Sequence, residues 1–336
     1  MAKRNVFVGV DVGGTKILAC PVMLEGKSYK ILAEEKKKTK PWKGIPDVID
    51  RIVESVKESL KKANLTLRDV NGIGLGLPGA VDAQEGIVLF APNIEWKKVQ
   101  LKKILEAALQ VPCFLDNDVN LGTFGEQRYG AGAGVKTVIG VFWGTGIGGG
   151  IIIDGRIHRG LNFTAGEVGH MIMKIGGRKC GCGNRGCLEA LASRTAMSAE
   201  ILEKIDNGKK TRIKLTDEDR ASRLIKSGTL QEAFEEGDKL VTDILTEAAE
   251  TIGAGVATLV NLLSPEMIII GGGVVESMGP SLMPIIKESA QKNAFPFAFK
   301  GVKIAQAKLG DYAVLVGAAL FAQEELARRQ DEGEAQ

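Results

Sequence analysis

The sequence predicts an α/β fold in two domains, and three observations carry that prediction. Its 336 residues exceed what one compact core usually holds. β-rich runs alternate with segments whose apolar residues recur at helical spacing. One plan, a strand, a glycine turn and a second strand, occurs at residues 5–24 and again at 137–153.

Taken in order, residues 5–12 (NVFVGVDV) and 17–24 (ILACPVML) flank Gly13-Gly14-Thr15-Lys16 and predict a hairpin. Asp11 stands at its mouth. The turn's backbone N–H groups, with Thr15 and Lys16, suit a phosphate, although a plain hairpin fits the same residues. A third strand is expected near 29–35, then a helix after Pro46 whose apolar face is Val48, Ile49, Ile52, Val53, Val56 and Leu60. Residues 72–82 (GIGLGLPGAVD) predict a buried strand ending in Leu77-Pro78-Gly79, where backbone can approach a ligand closely. A short strand at 87–90 precedes Asn93, either a hydroxyl-binding amide or a turn asparagine.

A helix near 100–109 leads to a strand and then to Asp116-Asn117-Asp118. Open α/β sheets hold their chemistry at the carboxyl ends of strands. Asp118 is the candidate acceptor of a hydroxyl proton and Asn117 a candidate partner of a neighbouring hydroxyl; an Asx turn capping a helix from about 120 is the competing explanation.

The second half opens with TVIGVFW at 137–143, then the glycine turn Gly144-Thr145-Gly146-Ile147-Gly148-Gly149-Gly150 and the strand IIIDG. Gly144, Gly146 and Gly149 match G-x-G-x-x-G, but a dinucleotide fingerprint opens a helix, and here β-branched residues run on into Asp154-Gly155. A second phosphate-cradling hairpin is the better reading. Residues 195–263 are helical in pattern, with a long apolar face from Leu240 to Val260. A buried strand at 267–270 runs into Gly271-Gly272-Gly273, read as backbone pressed against a flat ligand such as adenine or as a tight strand-to-helix turn. A strand near 302–306 and a helix at about 312–328 complete the chain.

Three of five cysteines and one of two histidines fall within residues 166–189. Cys180, Cys182 and Cys187, with His170 upstream, supply three thiolates and an imidazole for tetrahedral Zn²⁺, leaving no open position for water, so the site is structural. Glycines 176, 177, 181, 183 and 186 supply permissive dihedrals for the loop. Glu167 and Glu189 bracket it, and the second ring nitrogen of His170 is left to meet a ligand. A disulfide with a spare thiol is the blander alternative, but C-x-C neighbours bridge poorly.

Composition narrows the function classes. With 44 basic and 41 acidic residues the net charge is +3, which gives no field for nucleic acid or an anionic membrane. Lys36, Lys37, Lys38 and Lys40 read as a solvated strand end, and Cys20 and Cys113 as core residues. MAKRN before the first strand is no signal peptide, and the apolar stretch 254–275 is broken by Asn261, Ser264, Pro265 and Glu266. Reduced thiols and the lack of an export signal predict the cytoplasm.

Together these residues resemble the repressor, open reading frame and kinase (ROK) family. E-x-G-H at 167–170 followed by C-x-C-G-x-x-G-C-x-E at 180–189 is the most specific element. D-x-G-G-T-K at 11–16, L-P-G at 77–79, N-D at 117–118, the glycine run 144–150 and G-G-G at 271–273 occur in the family's order. The resemblance, closest to its bacterial glucokinases, implies a two-domain actin-like ATPase (ribonuclease H-like) fold with ATP and sugar between the domains. Expected boundaries are 1–118, with the helix at 312–328 packed back on it, and 119–311, which carries the zinc loop. The resemblance also implies that Gly79, Asn93, Asn117, Asp118, Glu167, His170 and Glu189 hold the sugar, and that Asp118 is the general base on its 6-hydroxyl. Asp11, Gly13 to Lys16, Gly144 to Gly146 and Gly271 to Gly273 would serve ATP, with Mg²⁺ near Asp11, and a homodimer or tetramer is expected.

Two alternatives stay open. Another sugar, N-acetylglucosamine, N-acetylmannosamine, mannose or fructose, would use the same parts, as would a polyphosphate donor. The family's repressors carry a helix-turn-helix ahead of the first hairpin, for which ten residues before Asp11 are too few, so an enzyme is expected.

Overall fold

The computed structural model describes residues 5–334; Met1 to Arg4, part of the segment read as lacking a targeting signal, lie outside the described residues. The chain forms two compact units. One holds the described residues of Met1–Lys136, Gly150–Gly166 and Asp311–Gln336, the other Thr137–Gly149 and Glu167–Gly310.

In the first unit β1 (Val6–Val12) pairs antiparallel with β2 (Lys16–Glu25), which also pairs β3 (Ser28–Ile31) and β4 (Glu35–Lys38). The single strand expected near 29–35 is therefore two strands, because the chain leaves the sheet edge at residues 32–34 and returns further along β2. After α1 (Ile45–Lys62) comes β5 (Gly72–Leu77), parallel to β1. β6 (Ala80–Asp82), β7 (Ile87–Ala91) and β8 (Trp96–Val99) make a small antiparallel sheet. The expected strand ends at Leu77, as the Leu77-Pro78-Gly79 sequence predicts, and Gly79, at φ +83°, turns the chain into β6. α2 (Leu101–Leu109) leads to β9 (Cys113–Asn117), parallel to β5, and α3 (Asp118–Tyr129) follows directly.

The second unit contains β10 (Val138–Trp143), from which the hairpin leads into β11 (Ile147–Ile153), a strand that runs on into the first unit and meets β12 (Arg156–Ile157) there. Helices α4 (Leu188–Ala192), α5 (Arg194–Asp206), α6 (Asp217–Ser222), α7 (Ser227–Glu235) and α8 (Lys239–Leu263) follow. β13 (Met267–Gly271) lies parallel between β10 and β14 (Lys303–Gln306), with α9 (Gly273–Asn293) and the short α10 (Pro296–Phe299) in the connection. No helix among the described residues is long and apolar enough to cross a membrane.

The last helix, α11 (Ala313–Glu334), belongs to the first unit and lies on the sheet there. Alternation along the strands explains how. Val8, Val10, Ile73 and Leu75 enter one core with the apolar faces of α1 and α2. Their neighbours on the opposite face are glycines. A Cβ on Gly9 would lie 1.9 Å from the Leu315 carbonyl oxygen, and one on Gly74 1.9 Å from that of Ala318. Gly317 in turn presses α11 against α3, where a Cβ would meet the Leu121 oxygen at 1.9 Å. Helix and sheet touch through bare backbone, so even one methyl must force them apart. Gly74→Ala is expected to cost roughly 3 kcal/mol in urea denaturation, whereas Gly228→Ala, in α7 with nothing within 4 Å, should be neutral or slightly stabilising.

Candidate functional site

Parallel pairing gathers one group of side chains in the first unit. Asp11 is opposite Gly76, and Gly76 is opposite Asp116, so the carboxyl ends of β1, β5 and β9 form one row. Open α/β sheets bind ligands at such an edge. Asp118 is the first residue of α3, and its Cα would be 3.2 Å from a Cβ on Gly76. Asn117 caps α3, the competing explanation that the sequence offered: its Oδ1 accepts from Val119 N at 2.9 Å and Asn120 N at 3.1 Å. Its Nδ2 donates to the Gly79 carbonyl at 3.1 Å. This amide therefore fixes Asp118 relative to the L-P-G turn. Gly79 in turn lies against β7, with a virtual Cβ 2.2 Å from the Phe90 oxygen, and Asn93 sits exposed just beyond that strand.

Behind Asp118, the wholly buried Asp116 carboxylate receives Nε of Arg159 at 2.7 Å and Nδ2 of Asn120 at 3.0 Å. Burial pushes that carboxyl up and the Arg159 charge pulls it down. The pair anchors the start of α3 through Asn120, and nothing in the sequence pattern around Arg159 marked it.

The first glycine hairpin closes through Gly13 N–H to the Lys16 oxygen at 2.9 Å. It is braced by Thr39, whose hydroxyl donates to Gly13 O at 2.6 Å and whose N–H donates to Thr15 O at 2.9 Å. Asn93 closes the other side, its oxygen 3.0 Å from a Cβ on Gly14. Lys16 reaches Asp311 at 3.2 Å. Asp11, largely enclosed with part of its side chain still open, is pushed up to about 6 by burial, against the pull of Lys16. A cation beside it would restore the carboxylate.

In the second unit β10 and β13 are parallel with Phe142 opposite Gly271, so the turn at Gly144 to Gly146 and the turn at Gly271 to Gly273 leave adjacent strand ends. The G-x-G-x-x-G stretch enters strand β11 and not a helix. Gly271 ends β13 and Gly272, at φ +90°, caps α9, so the triple glycine is a strand-to-helix turn. Packing demands glycine at 272, where a Cβ would be 2.6 Å from the Trp143 oxygen. It makes no such demand at 273, whose nearest neighbour would be Ser227 Oγ at 3.9 Å. Room for a ligand is left there.

Glu189 joins this hairpin to the cysteine loop. Its Oε2 accepts from Ile147 N at 2.9 Å and would lie 2.4 Å from a Cβ on Gly146. Cys187, just before α4, places it there. His170 Nδ1 and Cys180 Sγ are 3.7 Å apart, as are the sulfurs of Cys182 and Cys187, and all four donor atoms lie within 4.8 Å of one another. Tetrahedral Zn–S bonds of about 2.3 Å imply edges of about 3.8 Å. The four residues fit a metal ion, and the disulfide alternative fails, since all five cysteines are free. Gly186 is indispensable to the wrap: at φ +79° its Cβ would strike the Lys174 oxygen at 1.7 Å. Burial and the neighbouring thiols push Cys187 up to about 12, and a central cation reverses that shift. His170 Nε2 faces Glu167, 3.9 Å away, on the side turned from the cluster.

Fold and motifs together define a protein of the sugar kinase and sugar repressor class. The ROK family profile matches residues 7–325, and the chain belongs to the ROK family. It is 34% identical to a glucokinase of Halalkalibacterium halodurans, over 93% of each chain. It is equally 34% identical to a xylose repressor of Caldicellulosiruptor bescii, over 93% of this chain and 76% of the repressor. A ROK family glucokinase from Streptomyces griseus, solved in complex with glucose and AMPPNP, superposes with a TM-score of 0.76 at 33% identity, covering 95% of this chain and 99% of that one.

Asp11 generates a stability test. Its folded-state carboxyl holds a proton up to about 6, above the ordinary 3.8. The cost of ionising it is absent below 3.8, grows between the two values and is complete above 6. Asp11→Asn is expected to exceed wild type at pH 8 by about 1–3 kcal/mol in urea denaturation, with the advantage gone by about pH 4.

Proposed function

We propose that this protein transfers the γ-phosphoryl group of Mg-ATP to the 6-hydroxyl of D-glucose, with Asp118 as general base. The observation that carries the proposal is the placement of Asp118 at the carboxyl end of β9, pinned by the Asn117 amide to the Gly79 turn and backed by the Asp116–Arg159 pair. A base must stand in hydrogen-bond reach of the proton it takes, and a carboxylate fixed through its own helix cap meets that need without reorganising.

Phosphoryl transfer asks for positioning and charge neutralisation more than covalent chemistry. The hairpin at Gly13 to Lys16 offers N–H groups and an ammonium, the turn at Gly144 to Gly146 offers a second set, and Gly273 leaves space for the base of the nucleotide. Mg²⁺ held near Asp11 supplies neutralising charge to the phosphates when bound. Glu167, His170, Glu189 and Asn93 suit the remaining sugar hydroxyls. His170, Cys180, Cys182 and Cys187 would hold Zn²⁺ as a structural buckle, keeping the His170 ring oriented and α4 in place. Glucose, ahead of other hexoses, is supported by the relatives named glucokinase and by the glucose complex of the Streptomyces griseus protein.

ADP release with glucose, mannose, fructose and N-acetylglucosamine tests the reading, with glucose expected to give the highest kcat/KM. A winning N-acetylated sugar would keep the mechanism and change the substrate; turnover of none would remove the kinase assignment. Asp118→Asn should lower kcat at least 10³-fold, on the order expected for loss of a general base, while glucose and AMPPNP still bind. Retention of a tenth of the wild-type rate would show that another group takes the proton. Cys187→Ser should lower zinc content by mass spectrometry and raise the glucose Kd together, and zinc loss with unchanged sugar binding would refute the buckle.

A further inference from the structure

Arg194 stands outside every motif read from the sequence, yet it contacts the turn at Gly144 to Gly146 and reaches Ser227, the side chain beside Gly273. It opens α5, directly after the Ser193 cap. Its N–H donates to the Gly144 oxygen at 3.0 Å, and its Nη2 donates to Thr145 Oγ1 at 2.8 Å. On its other side Nη1 is 3.5 Å from Ser227 Oγ, the atom nearest the open space at Gly273.

Three features show that this cation lacks its anion. Arg194 makes no ion pair among the described residues. The acid whose field reaches it, Asp219, is already committed to Thr216 and the Lys226 N–H. Its Nε is buried with no hydrogen-bond partner. A guanidinium also sits poorly at the positive end of a helix, where the first turn of α5 carries no acid to offset it. Burial accordingly makes its charged form less favourable than that of an exposed arginine. A buried donor left open costs stability unless something fills it. A multiply charged anion lying along Gly144 to Gly146 supplies what is missing, and a guanidinium fork is suited to phosphate oxygens.

We propose that Arg194 is a ligand of the β- and γ-phosphates of the bound nucleotide. The inference rests on the kinase reading above and adds a residue to it. Arg194 neutralises phosphate charge from the α5 side while Thr145 holds its fork in line with the hairpin.

Calorimetric titration of adenosine, Mg-ADP and Mg-AMPPNP tests it in wild type, Arg194→Met and Arg194→Lys. Arg194→Met is expected to leave adenosine affinity within about twofold and to weaken AMPPNP by about 10- to 100-fold, the range for a hydrogen bond to a charged group. ADP should fall between them, and Arg194→Lys should recover part of the loss. Equal weakening of all three ligands would make Arg194 a structural strut for the hairpin and overturn the proposal, as would unchanged AMPPNP affinity. Should Arg194→Met fail to fold, Arg194→Lys decides alone, because loss of planar recognition must still scale with phosphate number. Wild type that binds none of the three would remove the kinase reading itself, an outcome distinct from either failure of Arg194.

Discussion

Backbone laid directly on backbone is the constraint from which the first unit follows. Where Gly9 and Gly74 meet the carbonyl oxygens of Leu315 and Ala318, no side chain separates α11 from the sheet. Helix and strands therefore have one permitted spacing, and the order of β1, β5 and β9 is held rigidly from behind. The row Asp11, Gly76, Asp116 inherits that rigidity. A chemical group fixed to strand ends gains precision from whatever fixes the strands, which is why glycines remote from any ligand matter to the geometry of Asp118.

The two halves of the chain solve one problem with different means. In the first unit, the turn at the sheet edge is stiffened by side chains: Thr39 binds Gly13 and Thr15, and the Asn117 amide binds Gly79. In the second, stiffness comes from Glu189, with the Cys187 loop placing α4. An ion in the four-residue cluster would make the second arrangement depend on metal occupancy, a dependence the first does not share.

Periodic and clustered signals were legible in the sequence. The apolar face of α1, both glycine hairpins and the His170, Cys180, Cys182, Cys187 cluster stand where they were read. Signals that depend on partners distant in sequence were not. Trp96-Lys97-Lys98-Val99 carries too little alternation to announce β8, and α9 is obscured by Pro280 and Pro284 inside it. The glycines at 271 to 273 offered two readings, backbone making way for a flat ligand or a strand-to-helix turn; the turn is formed, a Cβ at 272 would lie 2.6 Å from the Trp143 oxygen and one at 271 would lie 3.0 Å from the Phe142 ring, while at 273 the nearest atom is 3.9 Å away. Arg159 and Arg194 were invisible for a related reason: each matters through a contact more than 30 residues away, with Asp116 and with Thr145.

Glu189 has a further consequence for how such a chain can diverge. One carboxylate oxygen is bound to Ile147 N and fills the space that a side chain at 146 would occupy. Neither position is free to drift alone: a larger residue at 146 evicts the carboxylate, and a shorter one at 189 leaves a buried amide without an acceptor. Viable descendants must change both together or neither, so the hairpin and the cysteine loop form one hereditary unit, although 42 positions separate Ile147 from Glu189.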